Sequence, residues 1–145
     1  MLLLFPAAVL IVVVLAAVAV DSAIAFLGER EVANATAAAA NDAAAVGVSD
    51  RSFYEDDRIE LDPAIVERVA VTRVVAALEG GRHRDLQVEA HAVPPAVAGC
   101  AWTVRVTARA NVSYIFAPAV PGGPGSVVVD ATSVAGAHQQ ASITC

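Results

Sequence analysis

Lysine is missing altogether: the nine basic residues are all arginine, set against fifteen acids for a net charge of −6. That balance offers no clustered basic face for a phosphate backbone, so nucleic acid is excluded as an expected partner. Aromatic residues reach only 5%, while Ala and Val supply 58 of the 83 apolar residues. A core built from them buries little area per side chain and is modest in depth. Histidine is sparse as well. His83, His91 and His138 lie too far apart for metal-ligand spacing and are expected to be surface polar residues. No serine sits in a nucleophile-elbow sequence, and the proline inside Gly122-Gly123-Pro124-Gly125 argues against a phosphate cradle and for a hairpin loop. No enzyme, metal, cofactor or small-molecule substrate is expected.

What the chain does have is apolar surplus in one place. Of residues 1–27, 24 are apolar, the exceptions being Pro6, Asp21 and Ser22, and the remaining 118 residues are half apolar, close to an ordinary globular composition. Leu2–Val20 is nineteen residues without a charge, and as a helix it would span roughly 28 Å against a hydrocarbon core of about 30 Å. This reads as a membrane-spanning anchor over residues 1–27, with membrane lipid as its partner. Ala23-Ile24-Ala25 also has the small-x-small form of a cleavage site, which keeps open a secreted soluble binding domain with a cleaved signal peptide. Positive charges near the span are too few to fix orientation; the short N-terminus is expected in the cytoplasm and the bulk of the chain outside. Asp21, at the end of the span, is expected either to be solvated at the headgroup level or to face a neighbouring helix or subunit.

From Gly28 to about residue 48 the sequence turns alanine-rich without a proline, which predicts one continuous helix from about residue 2 to 47. Val32, Ala35, Ala39, Ala43 and Val46 recur at three- and four-residue spacing. This smooth, small-residue face is expected to pack on like helices. Residues 49–61 form an acidic linker, which lacks the spacing and central glycine of a calcium loop. Asp62-Pro63 then reads as an N-cap with proline at the first helical position, and Gly80-Gly81 as a stop. Between them Ile65, Val66, Val69, Ala70, Val74, Ala77 and Leu78 make the apolar stripe of a helix over 63–79.

Strands follow. Leu86, Val88, Ala90 and Ala92 alternate with polar residues, and from Trp102 to Phe116 eight apolar residues fall in strict period two, the signature of a half-buried antiparallel strand. A connection rich in Pro and Gly leads to a third strand over about 127–141. Cys100 and Cys145 bracket this last hairpin. A turn centred on Pro121–Gly122 would set Cys100 opposite about residue 142, so a bulge or longer loop would bring Cys145 to it. In an oxidising compartment a disulfide is the expected state, two free thiols the alternative.

The stretch LLLFPAAVLIVVVLAAVAVDSAIAFLGEREVANATAAAANDAAA resembles the N-terminal region of TadE/TadG-like proteins, pilin-like components of the tight adherence (Flp) pilus assembly apparatus. Pro6, Asp21, Phe26, Arg30, Asn34, Asp42, Ala43 and Ala44 fit that family's pattern: an apolar span with an early proline, an aspartate, an aromatic- and arginine-containing segment and an alanine-rich helix. The resemblance covers about 47 residues. The glutamate that many pilin-like members carry near the start of the apolar helix has no counterpart between Leu2 and Val20.

The sequence thus predicts an α+β chain: a long membrane-spanning helix with an Ala-rich extension, then a pilin-like head over 62–145 with one helix on a three-stranded antiparallel sheet. The resemblance implies a non-enzymatic, single-pass minor pilin or pseudopilin in a bacterial cytoplasmic membrane. Its partners would be other pilin-like subunits or pilus assembly proteins.

Overall fold

The computed structural model describes residues 4–49, 52–54, 59–97 and 100–137. Helix α1 runs without a break over Leu4–Val46, 43 residues, or about 64 Å at 1.5 Å per residue. Pro6 lies in its first turn, where a missing N–H costs least. The chain turns back after Gly47, held by Ser49 N–H to Glu60 O at 2.8 Å, Asp62 N–H to Gly47 O at 2.8 Å and a bridge between Val48 and Leu61. Helix α2, Pro63–Leu78, then descends antiparallel to α1. Its N-terminus is capped by Asp62, whose Oδ1 accepts from the N–H groups of Ala64 (2.8 Å) and Ile65 (3.3 Å). Proline follows at the first helical position, as Asp-Pro predicts. Gly80 ends the helix at φ +78, a conformation glycine adopts without Cβ strain.

Strands β1 (His83–Val93), β2 (Trp102–Ser113) and β3 (Ser126–Ala137) form an antiparallel meander in the order β1-β2-β3. Both helices cover one face of it. On that face Val104, Val106, Ala108, Ala110 and Val112 of β2 are buried, with Ala90 of β1 and Val129 and Ala137 of β3. The other face is mostly polar: Arg105, Arg109, Glu89, His91 and Asp130 are exposed beside Val128 and Val134, and the Thr107 and Thr132 hydroxyls pair across strands at 3.1 Å. The result is a two-layer α+β unit riding on the C-terminal half of a helix about twice its length.

Three sequence expectations shift. The apolar alternation of β2 continues to Phe116, but the strand stops at Ser113 because the amides of Ile115, Phe116 and Ala117 turn toward α1. In the β2–β3 ladder Trp102 faces Ala137 and Ser113 faces Ser126, so the hairpin centres between residues 119 and 120 rather than at Pro121–Gly122. Strand β1 starts at His83, three residues before Leu86, with a bulge between Arg84 and Gln87. There Asp85 takes φ 52 and accepts a 2.9 Å hydrogen bond from Asn111.

Candidate membrane and assembly surfaces

Leu4–Val20 projects from the folded unit as bare helix. Phe5 is 76% exposed, and Val9 to Val14, Leu15, Val18 and Val20 are all exposed. These seventeen residues extend about 25 Å, within the range of a transmembrane helix. The helix is long and apolar enough to cross a membrane, a property shared by signal sequences near an N-terminus.

The next residue reverses the pattern. Asp21 is only 7% exposed and accepts four hydrogen bonds from three consecutive N–H groups. Oδ1 takes Ile115 (2.9 Å) and Phe116 (3.1 Å), and Oδ2 takes Phe116 (3.2 Å) and Ala117 (2.6 Å). Successive N–H groups at the start of a 3-10 turn, Ala117–Ala119, form a concavity suited to an anion, and bonds to a carboxylate are stronger than neutral ones. Asp21 is therefore neither solvated nor aimed at a neighbouring subunit; its partner is the β2–β3 loop of its own chain. In the sequence Asp21 stands out as a carboxylate at the end of a span, but backbone donors 94 to 96 residues away leave no signature there.

Above Asp21, the small-residue face of α1 is consumed within the chain. Val32, Ala35, Ala39 and Ala43 are buried, together with Thr36, Ala40 and Ala44, against the sheet and α2. These residues were expected to pack on like helices; here their small size lets three elements of the same chain converge on one helix. A Cβ added at Gly28 would meet Val112 Cγ2 at 2.6 Å, and one at Gly47 would meet Val66 Cγ2 at 2.5 Å. Val46 departs from this stripe and is 59% exposed. The buried face follows the four-residue steps 28, 32, 36, 40, 44, which drift round the helix and leave residue 46 outside. In α2, Val66, Ala70, Val74 and Leu78 are buried, whereas Ala77, expected on the stripe, is exposed.

His83, expected at the surface, has a side chain only 3% exposed; its Nε2 lies 3.6 Å from Glu31 Oε2, and neither ring nitrogen has a hydrogen-bond partner. His91 is exposed, as expected; His138 lies outside the described residues. Arg73 pairs with Asp42 across the two helices at 3.0 Å, an exposed contact worth under about 1 kcal/mol. Phe26 and Arg30 stack on the open side of α1, with the guanidinium carbon 5.8 Å from the ring centroid. The expected Cys100–Cys145 bridge involves Cys145, outside the described residues, and most of the acidic linker's carboxylates lie outside them too. Among the described residues no three His, Cys, Asp or Glu side chains gather as a metal site.

The surfaces that stand out are therefore apolar and structural: a bare helix half, and beside it an uncharged loop, residues 114–125, with Ile115 and Phe116 each 44% and Val120 60% exposed. No protein-family model, curated protein or solved structure matches the chain.

Proposed function

We propose that this chain is a single-pass, non-enzymatic, pilin-like component of a bacterial Flp-type pilus or related secretion apparatus, with Leu4–Val20 in the cytoplasmic membrane and the α+β head outside it. One observation carries the reading. A single helix is apolar and uncovered along one half and packed into the head along the other, so the head is rigidly joined to a hydrophobic stalk rather than tethered by a linker. The resemblance of Pro6, Asp21, Phe26, Arg30, Asn34, Asp42, Ala43 and Ala44 to the TadE/TadG-like pattern supplies the apparatus.

Because the 32–43 face is occupied within the chain, contacts with neighbouring subunits fall to the stalk. Its exposed apolar side chains would exchange lipid for like helices on assembly. Asp21 supports retention of the stalk against the signal-peptide alternative: cleavage after Ala25 would strip the Ile115–Ala117 amides of their acceptor and forfeit charge-assisted hydrogen bonds that are stronger than neutral ones. The test is in-cell crosslinking through a photoreactive residue at Leu10 or Val14. Adducts with pilin-like subunits, lost when the pilus genes are deleted, are expected; unchanged adducts in that deletion would remove the pilus from the account.

A further inference from the structure

The β2–β3 loop ends in an unexpected place. Its residues close a groove of about 370 Å³ against α1, lined by Val14, Val18 and Asp21 on the helix and by Phe116, Val120 and Pro124 on the loop. Val14 lies seven residues before Asp21, so the loop reaches about 10 Å down the bare helix, alongside residues assigned above to the bilayer. We propose that residues 115–124 are a second membrane-inserted element, embedded among the lipid acyl chains of the leaflet on the head's side. The inference rests on the anchor reading of Leu4–Val20.

Irregular backbone enters hydrocarbon only as far as its polar groups are satisfied internally, and nine of the ten positions 115–124 have either an N–H bonded within the chain or no N–H at all. Of its ten positions, Ile115, Phe116 and Ala117 donate their N–H groups to Asp21. Ala119, Val120 and Gly123 donate to the carbonyls of Phe116, Ala117 and Val120. Residues 118, 121 and 124 are prolines, with no N–H to satisfy. No side chain from 114 to 125 carries a charge. The one carboxylate at this depth, Asp21, has both oxygens occupied. Exposed Phe116 and Val120 share the groove with Val14 and Val18, exposed at 53% and 59%, and Ile115 beside them is exposed too. Tyr114, at the loop's upper end, suits the headgroup level that tyrosine favours. Continuity with the bilayer-facing helix is what selects lipid over a second protein copy as the occupant.

Tryptophan fluorescence of the full chain in phosphatidylcholine vesicles, with and without bromine along the acyl chains, tests this. The only native tryptophan, Trp102, lies at the opposite end of β2 and serves as a resident reference. V120W adds a probe to the loop, L10W to the anchor, and V134W to the exposed outer face of β3. Brominated lipid is expected to abolish the added emission of V120W and L10W while leaving that of V134W and wild type unchanged. Quenching of L10W without V120W overturns the loop inference and leaves the anchor standing; loss of quenching in both overturns the anchor and the inference together. An unquenched V120W that is shielded from iodide only at high protein-to-lipid ratio assigns the loop to a second copy and overturns the lipid assignment.

Discussion

At Asp21 one carboxylate satisfies three backbone donors of a distant loop. Asn keeps one acceptor oxygen but turns an N–H group toward the Ala117 amide and removes the charge. D21N is therefore expected to destabilise the loop by about 2 kcal/mol, the scale of a lost charge-assisted hydrogen bond. Amide exchange reads this directly: Ile115, Phe116 and Ala117 should lose protection in D21N while the β2 amides keep theirs, and unchanged exchange at the three positions would contradict the clasp. Sequence alone singles Asp21 out because a carboxylate at a span's end needs a partner, yet gives no sight of which. His83 misleads for a related reason. Its neighbours in sequence are polar, and its burial comes only with the folded chain. The proposed Cys100–Cys145 bridge is checked by mass spectrometry without reductant, where two alkylatable thiols would refute it.

Among the elements, those with two independent signals were the legible ones. Helix α2 is bounded by Asp62-Pro63 and Gly80-Gly81 in addition to its apolar period, and it falls within a residue of expectation. Replacing Asp62 by Ala should cost about 1 kcal/mol through its N-cap, visible as a lower thermal midpoint. Strand β2 has one signal, alternation, and alternation overruns the strand by three residues because Ile115 and its neighbours are drawn to Asp21. The periodicity of the Ala-rich half of α1 predicts a face packed on like helices, whereas all of that face but Val46 is covered by the sheet and α2 of the same chain: periodicity points to which residues are buried, never to what buries them. A paired substitution separates the two roles. Ala39 is fully buried and Ala38 exposed. A39L should destabilise the head by about 1–3 kcal/mol through overpacking, with A38L near neutral. Thermal melts of both in detergent check this, and equal midpoints would contradict the packing described.

For the molecule as a whole, the hydrophobic excess divides at Asp21. Below it lies a bare apolar helix, above it a thin Ala/Val core in which helices, sheet and turns close on one another. That division is visible in composition, because solvent sorts residues by polarity before any contact is made. The descent of residues 114–125 beside the helix is not, because it depends on a hydrogen-bond clasp between segments nearly a hundred residues apart. The central claim is that the apolar stalk is a retained part of the mature protein and holds it in a membrane. N-terminal sequencing of the protein recovered after alkaline extraction of membranes tests it most directly. The account predicts recovery with the membranes and a mature start upstream of Asp21; a soluble protein beginning near Phe26 would contradict it.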